Sequence, residues 1–124
     1  VVHGLNGVDE LSISGRSAIW EINGADESVS FQYLSPEDLG LKSSSSGSVK
    51  GGTPQENAAI LRSVLDGEQS ARRDVVLLNA AAGIYVGGKS GSLKEAVDLA
   101  RQSIDNGQAA ARLNKLVEFS SRLK

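Results

Sequence analysis

The sequence predicts an α/β fold, part of a three-layer α/β/α domain, in which a strand remnant and a β-hairpin precede about four helices. Apolar residues occupy every second position over residues 18–22 and 29–33, at Ala18, Trp20 and Ile22 and at Val29, Phe31 and Tyr33, the period-two pattern of half-buried strands. Capping-box motifs, in which a hydroxyl residue precedes a glutamate by three positions, occur at 53–56 and 92–95 and predict helix starts. Residues 75–86 are almost all apolar, which predicts a central helix with no face left for water.

The strands are expected near the beginning of the chain. Val1 and Val2 run into a glycine-containing loop, the pattern of the end of a buried strand, and we expect the start of that strand to lie outside the chain. The two alternating stretches are separated by residues 23–26 and therefore predict a hairpin that extends or caps a mixed sheet. Pro36 ends the hairpin, because proline has no N–H for the ladder.

A long loop and two helices follow the hairpin. Residues 35–52 contain four consecutive serines and four glycines, a composition that predicts a mobile loop. A first helix is expected over about 54–66, ended by Gly67. The second helix is expected to begin at Ser70 or Asp74 and to end at residue 86.

Two further helices are predicted in the last third of the chain. The third begins after Ser92, places apolar residues at 93, 96, 97, 100 and 104, and stops at Asn106-Gly107. The last is expected over about 108–121, with Leu113, Leu116 and Val117 facing the core.

Two residues of the apolar second helix require partners. An unpaired buried amide costs about 1 to 3 kcal/mol, so Asn79 is expected to hydrogen-bond a loop, a strand end or a ligand, with backbone the favoured partner. Glycine costs about 1 kcal/mol relative to alanine inside a helix, so Gly83 predicts the close approach of another element.

Length and composition exclude several classes of protein. The 124 residues and 12.9 kDa allow a single piece of one domain, and the 40% hydrophobic and 23% charged residues are ordinary for a globular chain. No apolar stretch reaches the roughly 18 residues that span a bilayer, so no membrane partner is expected. The absence of cysteine excludes disulfides and thiolate zinc sites and suits a cytoplasmic location, and the one histidine excludes a multi-histidine metal site.

The charge is distributed unevenly along the chain. Residues 1–41 contain seven acidic residues and one basic residue, whereas residues 42–124 contain eight acidic and twelve basic residues. The first third could therefore attract cations. The basic residues of the remainder are scattered with few aromatic residues between them, which is typical of a solvated helix surface and predicts no nucleic-acid partner.

The candidate site is the loop over residues 3–10, which follows a strand end and finishes with Asp9 and Glu10. Ligands bind at the carboxyl ends of strands in open α/β sheets. Two adjacent ionised carboxylates repel each other, and a divalent cation removes that repulsion. Taken alone, an Asp-Glu pair also fits a solvated turn, and His3 fits a hydrogen-bonded structural residue.

Several spaced motifs together resemble one enzyme family. They are His3-Gly4, Gly7-Val8-Asp9-Glu10-Leu11-Ser12, Gly15, Pro36-Glu37-Asp38-Leu39-Gly40-Leu41, Gly51-Gly52-Thr53-Pro54 with Glu56-Asn57-Ala58, and Leu77-Leu78-Asn79-Ala80-Ala81. In this order, and over essentially the whole chain, they resemble the C-terminal part of anthranilate phosphoribosyltransferase, whose catalytic domain has the α/β/α phosphoribosyltransferase and nucleoside phosphorylase-like fold.

The resemblance implies an activity and a metal site. Enzymes of this family transfer phosphoribose from phosphoribosyl pyrophosphate to the amine of anthranilate in tryptophan biosynthesis, and they use Mg²⁺. The acids that bind this metal in the family fall on Asp9 and Glu10. The sequence departs from the family at Asn6, where an acid is frequent, and in the serine-rich insertion over residues 43–48.

The resemblance also implies that parts of the enzyme lie outside residues 1–124. The family's Gly-Thr-Gly-Gly-Asp loop, which cradles pyrophosphate, and its N-terminal helical domain have no counterpart in the sequence. The family's homodimer is expected to form through that helical domain, and the fragment alone is expected to be inactive. Two rival interpretations are a pyrimidine nucleoside phosphorylase-like enzyme and a non-catalytic helical interaction module.

Overall fold

A computed structural model describes residues 1–22, 24 and 26–123, and in this part of the chain three strands are followed by four α-helices. The predicted order of elements is therefore confirmed. The strands are β1 (Val2–Gly4), β2 (Ser17–Ile22) and β3 (Val29–Leu34), and the helices are α1 (Pro54–Leu65), α2 (Ala71–Val86), α3 (Leu93–Asp105) and α4 (Gln108–Ser121). Short 3-10 turns cover Pro36–Leu39 and Ser46–Val49.

The described strands form one antiparallel sheet in the order β1-β2-β3. Val2 pairs with Ile19 across the first ladder, and Trp20 pairs with Phe31 across the second. Strands β2 and β3 form the predicted hairpin. Asn23 and Ala25, two residues of its predicted turn, lie outside the described residues.

The two faces of the hairpin have different environments. Ile19 and Leu34 are buried in the core that the helices cover. The opposite face carries Trp20, Phe31 and Tyr33, which are exposed. Phe31 lies 5.0 Å from each of the other two ring centroids, tilted against Trp20 and edge to face with Tyr33. Within the described residues, helices therefore cover one face of the sheet. The aromatic side chains of the alternating sequence pattern lie on the opposite, exposed face.

Local helix signals are confirmed, with one difference. Thr53 and Glu56 form the predicted reciprocal cap of α1, in which Thr53 N donates to Glu56 Oε2 at 2.7 Å and Glu56 N donates to Thr53 Oγ1 at 3.3 Å. Ser70, rather than Asp74, caps α2. Ser92 caps α3 by accepting from Glu95 N, but the Glu95 carboxylate accepts from Gly91 N instead of reaching back to Ser92.

Helix α2 lies at the centre of the core, as predicted, but it is not buried on every side. Leu77, Leu78 and Ala81 pack in the core beside α3, whereas Val86 is 84% exposed. A Cβ built on Gly83 would have no neighbour within 4 Å. The prediction that no face is left for water is wrong, and so is the close approach predicted at Gly83, because the stripe of the helix that carries Ala80, Gly83 and Val86 is exposed.

The predicted inward face of α4 is also wrong. Leu116 is 63% exposed and Val117 is 45% exposed, and Leu113 is only half-buried. Ala109, in the first turn of the helix, packs against the core. The helix touches the core near its beginning, so later apolar positions extend past the layer that would cover them.

The segment from Ser35 to Gly52 combines an anchored beginning with an exposed remainder. Pro36, Leu39 and Leu41 are buried, and Ser35 N donates to Asp38 Oδ2 at 2.8 Å in the first 3-10 turn. Beyond residue 41 most side chains are exposed. The loop prediction therefore applies to the second half of the segment, whose mobility stays a prediction.

Candidate functional site

The predicted metal pair lies on the loop that joins β1 to β2. Asp9 and Glu10 are both exposed. The loop folds back on the end of β1, because Gly4 N donates to Val8 O at 3.0 Å and Gly7 N donates to Gly4 O at 2.9 Å. These two bonds fix the chain immediately before the carboxylates.

Gly4 allows this tight return of the chain. Gly4 is buried, and a Cβ built on it would lie 2.5 Å from Val8 Cγ2, 2.9 Å from Asn6 Oδ1 and 3.0 Å from Ser12 Cβ. Two of these neighbours lie closer than real Cβ atoms come to other atoms. The glycine of the His3-Gly4 motif is therefore required by the loop's own packing.

Leu11 fixes the chain immediately after the carboxylates. Its side chain is fully buried in the core. Leu11 N donates to Asn79 Oδ1 at 2.9 Å, and Asn79 Nδ2 donates to Leu11 O at 2.9 Å and to Val75 O at 3.0 Å. The prediction that Asn79 bonds a loop is confirmed, and its partner is the loop that carries Asp9 and Glu10.

Serine side chains hold the rest of this loop. Ser12 N donates to Ser17 Oγ at 2.8 Å, Ser14 N donates to Ser12 Oγ at 3.1 Å, and Asn6 Nδ2 donates to Ser14 Oγ at 2.7 Å. Asn6, the position where the family often has an acid, thus ties the two arms of the loop together. The closely spaced Ser12, Ser14 and Ser17 were the sequence signal for these hydrogen bonds, but closely spaced serines also fit an exposed strand.

The chemistry of the two carboxylates fits magnesium. Among the described residues, no group of three or more His, Cys, Asp and Glu side chains could hold a metal by itself. Mg²⁺ is commonly held by one or two carboxylates and completes its octahedral shell with water and substrate phosphates. An exposed pair on an anchored loop suits such a partial site, whereas a cation that requires a full protein cage would find too few ligands.

A second ionic cluster, which sequence reasoning missed, joins α2 to α3. Arg73 is 2% exposed and donates to Asp105 Oδ1 at 2.6 Å and to Gly67 O at 3.0 Å. Beside it, burial raises the pKa of the Asp74 carboxyl, against the opposing effect of nearby Arg73, Arg101 and Lys42. The Arg-Arg-Asp run at the start of α2 was the only sequence signal, and it predicts charge without predicting burial.

The fold and the loop can be compared with known proteins. Residues 1–110 match the sequence profile of a family described as "Glycosyl transferase family, a/b domain". The chain belongs to this family. The described residues contain no helix that is both long and apolar enough to cross a membrane.

Relatives in the family are close to half identical to the chain over the region that matches. It is 47% identical over 124 residues to an anthranilate phosphoribosyltransferase of Dehalococcoides mccartyi, a match that covers 99% of the chain and 36% of that protein. It is 50% identical over 121 residues to one from Rhodopseudomonas palustris, a match that covers 98% of the chain and 35% of that protein. The chain thus spans little more than a third of the length of the curated relatives it matches.

Solved structures of the family have the same fold. An anthranilate phosphoribosyltransferase (TrpD) from Thermus thermophilus matches 96% of the chain and 34% of its own length, with a TM-score of 0.85 at 42% identity. The enzyme from Saccharomyces cerevisiae in complex with PRPP and Mg matches 98% of the chain and 34% of its own length, with a TM-score of 0.85 at 28% identity. The predicted fold class and the predicted resemblance are both confirmed.

Proposed function

We propose that the chain is the carboxyl-terminal part of an anthranilate phosphoribosyltransferase and contributes the metal-binding loop. That enzyme transfers the phosphoribosyl group of phosphoribosyl pyrophosphate to the amine of anthranilate, in tryptophan biosynthesis. The observation that carries the proposal is the exposed Asp9-Glu10 pair on an anchored loop, in a chain that is 47% identical to a protein of that name.

Asp9 and Glu10 are proposed to hold Mg²⁺ together with the pyrophosphate of the substrate. When bound, the metal supplies positive charge where pyrophosphate departs, which stabilises the transition state. The chain's own contribution is to present two adjacent acidic residues on an anchored loop. Val8 and Leu11, on either side of the pair, are held through hydrogen bonds to their backbone groups, so the backbone that carries the carboxylates is anchored at both ends.

The remaining machinery is proposed to lie in the rest of a longer enzyme. A pyrophosphate-binding loop and an N-terminal helical domain would supply the phosphate donors and the anthranilate pocket, and the helical domain would form the homodimer. We propose a cytoplasmic location, because phosphoribosyl pyrophosphate carries several negative charges and does not cross a bilayer unaided.

The test is the loss of anthranilate fluorescence in the full-length enzyme, with phosphoribosyl pyrophosphate and Mg²⁺ present. Asp9→Ala combined with Glu10→Ala is expected to lower kcat at least about 100-fold, because transition-state charge is then left uncompensated. Thermal unfolding should be nearly unchanged, since both side chains are exposed.

Asp26→Ala combined with Glu27→Ala is the matched control. These acids are also adjacent and exposed, but they lie at the hairpin end, so activity should stay at the wild-type level. An unaffected Asp9/Glu10 double variant would refute the assigned metal site. Phosphate-dependent cleavage of a pyrimidine nucleoside, without turnover of anthranilate, would instead support the phosphorylase alternative.

A further inference from the structure

Asn79 forms a two-bond clamp on the metal-binding loop. Its carboxamide accepts from the backbone N–H of Leu11 and donates to the backbone carbonyl of the same residue, each at 2.9 Å. The third bond, from Nδ2 to Val75 O at 3.0 Å, fixes which way the amide faces. A flipped amide would set its NH₂ against the Leu11 N–H, so only one orientation satisfies all three groups.

The clamp lies one residue beyond the proposed metal ligands. Val8 is held from the β1 side by Gly4 N, and Leu11 is held from the helix side by Asn79. Asp9 and Glu10 are the only two residues between these fixed points. The backbone positions from which the two carboxylates project are therefore set by Val8 and Leu11.

We infer that Asn79 is a positioning residue for magnesium, acting through the Leu11 peptide to aim Asp9 and Glu10. This inference rests on the proposed function, because it assumes that the two carboxylates are the metal ligands. Groups that orient metal ligands commonly affect metal affinity 10- to 100-fold when they are removed. Asn79, a polar residue in an otherwise apolar stretch of α2, thereby holds the neighbouring loop in place and satisfies its own hydrogen-bonding groups.

The chain contains a matched control for this clamp. Asn57 in α1 grips Gly52 in the same way, accepting from Gly52 N at 2.8 Å and donating to Gly52 O at 3.1 Å. This second clamp lies on the segment that leads into α1, far along the chain from Asp9 and Glu10. Asn57→Ala removes the same type of interaction without loosening the loop between β1 and β2.

The experiment compares Asn79→Ala with Asn57→Ala in the full-length enzyme. We expect Asn79→Ala to raise the Mg²⁺ concentration that gives half-maximal rate about tenfold or more, while KM for anthranilate stays unchanged. Asn57→Ala should leave the magnesium requirement unchanged. Asn79→Gln keeps both hydrogen-bonding groups but displaces them by one methylene, so it should also shift the Leu11 peptide and raise the magnesium requirement. It replaces Asn79→Ala in the comparison if the latter does not fold.

Hydrogen exchange supplies a readout that does not depend on turnover. In the enzyme without substrate, the Leu11 amide should exchange more slowly than those of Asp9 and Glu10, and Asn79→Ala should remove that protection while Asn57→Ala does not. An unprotected Leu11 amide in the wild-type enzyme, or a magnesium requirement that neither Asn79 variant changes, would overturn the inference. If the wild-type enzyme does not turn over, or the Asp9/Glu10 variants keep their activity, the proposed function fails first, so the two failures are distinguishable.

Discussion

Asn79 shows how a single side chain can contradict the pattern of its helix. It lies between apolar neighbours in α2, yet its three hydrogen bonds to backbone groups reach Leu11 and Val75. A leucine, which branches at the same carbon, would raise the apolar content of the helix and leave the N–H and C=O of Leu11 without these partners.

We therefore expect Asn79→Leu to lower the free energy of unfolding by about 1 to 3 kcal/mol, the cost of unpaired buried polar groups. The measurement is a urea unfolding midpoint in the full-length enzyme. A midpoint equal to or above that of the wild type would show that the Leu11 backbone groups find other partners.

Asp74 predicts a dependence of stability on pH. Burial is the main cause that raises its pKa above the ordinary value of 3.8. The folded state thus binds this proton more tightly than the unfolded state, so this group's contribution to stability decreases as pH rises from about 3.8 through the raised value. Asp74→Asn should increase Tm at pH 7 and change it much less at pH 3. A variant that loses Tm at pH 7 would show that attraction to Arg73 and Arg101 outweighs the burial cost.

At the scale of elements, we expect the segment after the first 3-10 turn to be the most mobile internal segment of the chain. Pro36, Leu39 and Leu41 anchor the beginning of this segment, whereas most later side chains are exposed. A backbone hydrogen bond from Ser44 N to Ile13 O joins the later part to the core. Few buried contacts and few shared hydrogen bonds mean that local opening costs little free energy.

Limited trypsin digestion should therefore cut first within residues 41–50, at Lys42 or Lys50. Peptide mass spectrometry of the earliest products identifies the site. A first cut after Arg72 or Arg73 would contradict this order of stability, because these residues lie in α2, and Arg73 is among the most buried side chains.

Helix ends were predictable because the residues that define them are close in sequence. Thr53 caps with a partner three positions away, and Gly107 adopts a φ of 76° after α3, a conformation that glycine adopts without the strain of a side chain. The inward face of α4 was not predictable from its apolar period, because that period is the same whether or not another layer covers it. The structure leaves Leu116 and Phe119 exposed.

At the scale of the whole molecule, the chain holds one part of a proposed site. Efficient transfer needs the cation, donors around pyrophosphate and the anthranilate amine held together. The chain spans about 36% of the length of a related enzyme, and the contribution proposed for it is the carboxylate pair.

The isolated 124-residue chain is therefore expected to show no phosphoribosyl transfer in the anthranilate fluorescence assay, even where circular dichroism shows that it is folded. It should also bind Mg²⁺ weakly, with a Kd on the order of 1 mM or above, because the metal relies on substrate phosphates to complete its shell. Turnover by the isolated chain would refute this division of roles.

The sequence by itself determined the order of strands and helices, the capped helix starts, the Asp9-Glu10 pair and the family resemblance. All of these depend on residues within a few positions of each other or on motifs that can be read directly. Only the tertiary structure decided which face of the hairpin is covered, that Arg73 is buried against Asp105, and that Asn79 grips Leu11, 68 positions away. The physical reason is that burial and hydrogen-bond pairing depend on which distant elements pack together. Because the described helices cover only one face of the sheet, the same apolar pattern is buried in one element and exposed in another.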